Sequence, residues 1–393
     1  MARMHIAFFT NTYFPTMSGV VRSVSTFRQQ LTTMGHNVFV FAQHASAYED
    51  TEPFIFRYPA IEVPINDYAL PIPVSPFISE VLPILKLDVI HSHHPFLLGR
   101  VAAHKAKELN VPLVFTFHTR YDEYSHYVPF SQELTKRVII DWVLGYMEQC
   151  QHIITPSESM KQILEESGVA GQYISAIPTG IDVEPFRQAD GELVRHERGW
   201  GNDGVLISVG RLAKEKNFET LLAAAAQVMR RHDHTRLVLI GDGPERKALG
   251  ELAESLGIAS RVEFTGRLEF DQIPGYLKAA DIFCFASVTE TQGLVTMEAL
   301  AAGLPVVAVD APGTADAVSH GQEGLLTEND SMALAQAICQ VIANPALRQQ
   351  FKAAAARKVA WFDIKIQAEK MLEVYAQAKE DKKAARHVEV KRG

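Results

Sequence analysis

Cysteine is scarce: Cys150, Cys284 and Cys339 are the only three in 393 residues. They lie far apart, with no C-x-x-C pair and no even framework. That excludes a disulfide scaffold and a zinc module, and suits a reducing compartment. Positive charge is also short. Lys and Arg number 38 against 46 Asp and Glu, a net of −8, which argues against a dedicated nucleic-acid binder. No apolar run reaches the roughly 20 residues that a bilayer-crossing helix needs. The best one, residues 300–309, is broken by Gly303 and Pro305, and the run at 6–9 is too brief for a secretory signal. The expectation is a cytoplasmic protein, at most peripheral at the inner face of the membrane. Neither half carries G-x-G-x-x-G with its downstream acid, which rejects a dinucleotide-dependent oxidoreductase.

What the chain does contain is an α/β alternation, and it contains it twice. Short β-branched or aromatic runs predict strands at 5–10, 37–41, 88–91, 112–117, 152–155 and 174–177, with helices such as 20–34 and 99–109 between them. The pattern restarts with strands at 205–209, 235–240, 261–265, 282–286 and 305–309, and helices at 218–232, 245–256, 271–278 and 295–302. Pro178-Thr179-Gly180-Ile181-Asp182 and the polar stretch 187–204 read as the connection between two domains. The expected division is 1–184 and 185–361, with a helix at about 362–378 packing back on the first domain. The charged tail 379–393 is expected to be disordered. Two doubly wound Rossmann-like domains would face each other across a cleft, with ligands at the carboxyl ends of the strands.

Three segments carry candidate chemistry. Ser18-Gly19 opens a helix after the first strand, where glycine lets the backbone approach a phosphate; an ordinary strand–helix turn would look the same. Gly210-Arg211-Leu212 with Lys214 and Lys216 follows the first strand of the second half. Arg211 and Lys216 suit a diphosphate, although a solvated charge run remains open. Between 286 and 298, Gly293 introduces a helix, and Glu290 and Glu298 stand eight positions apart, suited to the hydroxyls of a polyol or simply to a capped helix.

Taken in order, these segments resemble the retaining glycosyltransferases of family four, with GT-B architecture. The resemblance rests on Ser18-Gly19, Thr116-Phe117-His118-Thr119, the 178–182 motif, Gly210-Arg211 with Lys216, Gly241-Asp242-Gly243-Pro244, Gly266-Arg267, and the E-x7-E pair Glu290/Glu298. It implies a nucleotide-sugar donor, with UDP-glucose as the analogical choice. Arg211 and Lys216 would hold its diphosphate, Glu298 the ribose, and the backbone at Arg267-Leu268 the base. Glu290 with the N–H groups of Gly293-Leu294 would hold the sugar and distal phosphate, and Gly19 would let the first lobe close on the diphosphate. His118 would meet the sugar near the reacting centre. The implied catalytic set is therefore His118, Arg211, Lys216 and Glu290. No Asp-x-Asp occurs, in keeping with cations and helix dipoles replacing a metal, so neither a metal nor another cofactor is expected.

The acceptor is the open question. His118-Thr119-Arg120-Tyr121-Asp122-Glu123-Tyr124-Ser125-His126-Tyr127-Val128 resembles the matching stretch of the 1,2-diacylglycerol 3-glucosyltransferases, also called monoglucosyldiacylglycerol synthases. Arg120, Tyr121, Tyr124, His126 and Tyr127 would then contact the acceptor, with His93 in its floor. The apolar stretch 63–85 is a candidate acceptor wall, a shallow membrane contact or plain packing. Against a lipid stands the charge of residues 1–184: 12 Lys and Arg against 18 Asp and Glu, whereas lipid-glucosylating relatives dock through a basic first lobe. A soluble acceptor such as a sugar, inositol phosphate or polyol is the alternative, and a non-catalytic nucleotide-sugar-binding protein the remote one. The run His91-Ser92-His93-His94 lacks the partners a zinc site needs.

Overall fold

Apolar side chains at consecutive positions, as at 6–9 and 38–42, leave neither face of a strand fit for water. Such strands are stable only in a parallel sheet covered on both sides by helices. The computed structural model, which describes residues 2–16, 18–46, 48–63, 68–119 and 132–391, has two such sheets. The chain divides into two compact units, residues 1–180 with 364–393, and residues 181–363.

In the first unit the strands are β1 (His5–Phe9), β2 (Asn37–Gln43) and β3 (Ile55–Tyr58). An antiparallel ribbon of β4 (Ala60–Val63) and β5 (Tyr68–Pro71) follows, then β6 (Val89–Ser92), β7 (Leu113–Thr116), β8 (His152–Thr155) and β9 (Ile174–Ala176). The parallel sheet runs β3-β2-β1-β6-β7-β8-β9. In the second unit β10 (Gly204–Val209), β11 (Thr235–Ile240), β12 (Val262–Gly266), β13 (Ile282–Phe285), β14 (Val306–Val309) and β15 (Gly324–Thr327) run β12-β11-β10-β13-β14-β15. Each order starts from a middle strand, steps outward one way, then reverses. This is the doubly wound arrangement, and it sets a reversal between β1 and β6 and another between β10 and β13. Each sheet is sandwiched between two apolar layers. Phe9, Phe41, Ile90 and Phe115 face one layer of the first sheet, and Ile6, Phe8, Val40 and Val89 face the other. Burial of each such side chain contributes about 1.5–3 kcal/mol.

Several expectations need correcting. The strands β3 and β15 and the β4/β5 ribbon add to those that the sequence pattern predicts. Residues 187–204 are not a linker: the helix Gly191–Arg198 is built into the second unit, and a Cβ on Gly191 would lie 2.5 Å from the Lys278 carbonyl oxygen. The tail is not disordered either. The helix Ile364–Lys383 packs its Met371, Leu372 and Tyr375 on the first sheet. Beyond it Val388 is buried, its N–H donating to the Cys150 carbonyl, and Val390 bridges Val169. Alternate valines turned inward outweigh a charged composition. In the stretch 63–85, Ile78 and Leu82 enter the core of the first unit, while Leu70, Ile72, Val74, Phe77 and Ile84 remain exposed.

Candidate active site

Every strand end in a parallel sheet leaves its side chains and the following loop on one edge, so the reversals define where function should gather. In the second unit, the loop after β10 carries Arg211 and Lys216 and the loop after β13 carries Glu290. Local chemistry brings these loops together. Asn217 adopts φ 55°, a left-handed conformation that asparagine tolerates, and its Nδ2 donates to the Ala286 carbonyl at 3.0 Å. Ser287 Oγ and Thr289 Oγ1 both donate to the Glu215 carbonyl, at 3.3 and 3.4 Å. The result is an ion pair between Lys216 Nζ and Glu290 Oε1. Arg211 is exposed, with no ion-pair partner among the described residues.

Glycines explain how close the backbones lie. Gly241 has φ 136°, and a Cβ there would stand 2.0 Å from the Gly210 carbonyl oxygen; one on Gly243 would be 2.4 Å from that of Leu212. The 241–244 motif is thus the buttress of the Arg211 loop. Gly293 caps the helix Leu294–Ala301 at φ 69°. The N–H groups of Thr296 and Met297 bond its carbonyl, leaving those of Leu294 and Val295 outside the helix ladder, where the dipole favours an anion. Glu298, on that helix, is only 1% exposed. Arg267 is exposed and Leu268 half-buried just past Gly266, which has φ 75°.

In the first unit the reversal gathers histidines. Ser18 caps the helix Gly19–Thr33 through its side chain, which accepts from the Val21 N–H at 3.3 Å, and Gly19 is exposed at the first turn. The Asn11 N–H donates to His94 Nδ1 at 3.1 Å, so the His94 proton sits on Nε2, and Asn11 Oδ1 accepts from the Leu98 N–H at 3.0 Å. These bonds lock the loop after β1 to the loop after β6. The latter is strained: Leu97 has φ 51°, and a Cβ on Gly99 would fall 1.8 Å from the His94 carbonyl oxygen. His118, just past β7, places Nε2 2.9 Å from His93 Nδ1. His91 is held by Tyr375 Oη and Thr116 Oγ1, each at 2.7 Å. Burial pushes all four imidazoles down, His91 to about 3, His94 to about 4, and His93 and His118 well below the ordinary range, so all are neutral at pH 7.

His93 requires a correction. It is 1% exposed, enclosed between Phe8 and His91, and supports His118 instead of forming an acceptor floor. Arg120, Tyr121, Tyr124, His126 and Tyr127 lie outside the described residues. Among the described residues no group of three or more His, Cys, Asp or Glu is placed to hold a metal ion. No described helix is long and apolar enough to cross a membrane. Two further arginines, with no local signature in the sequence, brace the first unit. Arg28, buried in the helix Gly19–Thr33, pairs with Glu52 and donates to the Pro53 carbonyl. Arg57 donates to the carbonyls of Phe14 and Gln43 and to Asp50, with Tyr13 under its guanidinium. Arg57 thus anchors residues 13–14, and Arg28 the segment at 52–53. Their partners are 7 to 43 positions away, and no local pattern marks either side chain as paired.

With this geometry in place, comparison with known proteins is specific. The family model for glycosyltransferase family 4 matches residues 17–185, and that for glycosyl transferases group 1 matches residues 192–358. The alpha-monoglucosyldiacylglycerol synthase of Streptococcus pneumoniae is 34% identical, over 82% of this chain and 75% of that protein. The enzyme of the same name from Acholeplasma laidlawii is 31% identical, over 77% and 80%. In structure, Anabaena HepE in complex with UDP and glucose superposes with a TM-score of 0.78 at 22% identity, covering 95% of this chain and all of that one. The chain therefore belongs to the family 4, group 1 glycosyltransferases and has their GT-B fold of two Rossmann-like domains.

Proposed function

We propose that this glycosyltransferase moves a hexose, glucose in the first instance, from a UDP-sugar to diacylglycerol or a related glycerolipid. The transfer would retain the anomeric configuration and need no metal ion. The observation that carries the donor half is the Lys216–Glu290 pair beside exposed Arg211 and the open N-terminus of the helix at Gly293. When the anomeric bond breaks, its electron pair leaves with the diphosphate, which passes from two negative charges to three while the sugar becomes oxocarbenium-like. Preorganised cations and N–H groups aimed at that charge lower the barrier most at that moment. Glu290 then turns to the sugar hydroxyls, and Glu298 takes the ribose. No carboxylate is assigned as a covalent nucleophile, so attack comes from the face the diphosphate leaves, a phosphate oxygen taking the acceptor's proton.

The lipid half is supported by the two synthases, and by the exposed Leu70, Ile72, Val74, Phe77 and Ile84, which suit an acyl chain or a transient contact with a membrane surface. A second reading has one specific support. Residues 1–184 carry 12 Lys and Arg against 18 Asp and Glu, and each surface cation contributes about 1 kcal/mol near an anionic membrane. An acidic first half therefore favours a soluble acceptor. Mass spectrometry of the products decides, with UDP-glucose, diacylglycerol in mixed micelles and a pool of soluble sugars and polyols offered together. Hexosyl-diacylglycerol is the expected product; product in the soluble pool alone would overturn the lipid assignment.

A further inference from the structure

We propose that His93 is a positioning residue that holds His118 with its proton on Nδ1, so that His118 serves as a hydrogen-bond donor to a substrate oxygen and not as a base. The inference rests on the reading above, which assigns His118 to the reacting sugar. One proton lies between His93 Nδ1 and His118 Nε2, 2.9 Å apart. Suppose it belonged to His118. The proton of His93 would then sit on Nε2, an atom fully enclosed and without a hydrogen-bond partner. A buried N–H without an acceptor is rarer in proteins than a buried acceptor without a donor. Turning the ring over would break the Nδ1–Nε2 hydrogen bond to His118, and the ring is packed on two sides. Phe8 lies edge-on at 4.9 Å between ring centroids, and His91 at 4.3 Å on another side.

The proton therefore belongs to His93 Nδ1 and is donated to the Nε2 lone pair of His118. The second ring nitrogen of His118 must carry the remaining proton, since burial keeps both rings from taking a second. His118 is half-buried, and with Nε2 occupied by His93, Nδ1–H is the group left for a substrate oxygen. A base at this place would compete with the phosphate oxygen for the acceptor's proton. A fixed donor does not.

The test uses the full chain labelled with 15N-histidine. A long-range 1H–15N correlation spectrum, assigned with a His118→Gln variant, reports which ring nitrogen of His118 is protonated. The expected result is a proton on Nδ1; a proton on Nε2 overturns the inference, whatever the acceptor proves to be. The second arm compares His93→Asn, whose amide N–H occupies the place of Nδ1–H, with His93→Leu, which has similar bulk and no donor. His93→Asn should keep kcat near that of the parent, while His93→Leu should lose about tenfold in kcat with the donor KM unchanged. Equal loss in both variants would show bulk alone to matter and sink the idea. If His93→Leu fails to fold, the spectrum of the parent decides alone. Transfer to soluble acceptors only would refute the lipid reading and leave the tautomer standing.

Discussion

The sheets β3-β2-β1-β6-β7-β8-β9 and β12-β11-β10-β13-β14-β15 reverse at the same point in their order, between β1 and β6 in one and between β10 and β13 in the other. What the loops carry there differs completely. In the first unit the loops after β6 and β7 hold His93, His94 and His118, all made neutral by burial. In the second the loops after β10 and β13 hold Arg211, Lys216 and Glu290, charged and in part paired. One backbone device thus serves two chemistries. A doubly wound sheet supplies strand ends and helix N-termini, and the side chains decide whether the edge presents neutral imidazoles or charged groups.

The largest expected effect is an acid response confined to the first unit. His91 and His94 fall to about 3 and about 4, against 6.5 in the unfolded chain. A lowered histidine binds its proton less well when folded. Its contribution is therefore complete above pH 6.5 and is lost as the pH falls from 6.5 toward the folded values. Each ring gives up about 1.4 kcal/mol per pH unit, so the two together approach 3 kcal/mol per unit. Hydrogen exchange at pH 7.5 and 5.5, corrected for intrinsic rates, should show protection falling in β1, β6 and β7 and holding in β10 and β13. Equal loss in both sheets would erase the contrast. Next comes Lys216→Ala, which strands the leaving-group charge and should lower kcat roughly 100-fold, equivalent to about 2.7 kcal/mol, in steady-state assays at saturating donor. An unchanged kcat would remove Lys216 from the chemistry. Glu298→Ala should act more weakly and elsewhere, raising the donor KM about tenfold with kcat nearly kept, because the ribose does not react. A fall in kcat with KM unchanged would move Glu298 from binding to the transition state.

The same contrast explains what could be read from the sequence. Strands with consecutive apolar residues, such as 38–42 and 306–309, announce themselves, and so do loops whose glycines and charges recur in a known order. Strand β3 did not, because Ile55-Phe56-Arg57-Tyr58 is short and holds an arginine whose use appears only when Phe14, Gln43 and Asp50 surround it. Strand β15 begins at Gly324, where a Cβ would fall 1.9 Å from the Val306 carbonyl oxygen; a glycine needed for close approach reads, in sequence, as a turn. For the site, the charged residues of the second unit could be picked out, since Arg and Lys after a strand end stand apart from the apolar strands around them. The role of His93 was not. Spacing shows that His93 and His118 each follow a strand, but not which ring is enclosed by Phe8 and which is only half-buried.

The smallest expected effect probes the pair that most sharply separates the two units. Without donor, Lys216 and Glu290 neutralise each other, so a diphosphate at Lys216 would compete with the carboxylate. Glu290→Gln removes that competitor while keeping size and a hydrogen-bonding carbonyl. Binding of UDP, measured by calorimetry, should tighten by roughly threefold, less than 1 kcal/mol, because the two side chains are 23% and 14% exposed and solvent screens them. Transfer should fall in the same variant, since the sugar hydroxyls lose their charged acceptor. Tighter UDP with slower transfer would mean that Glu290 alternates between cation and sugar, and that the second unit keeps its charge balanced until the donor arrives. Unchanged UDP affinity would mean that Lys216 meets the diphosphate without leaving Glu290. The charge at this edge would then be a fixed frame, as the hydrogen-bonded histidines are at the other.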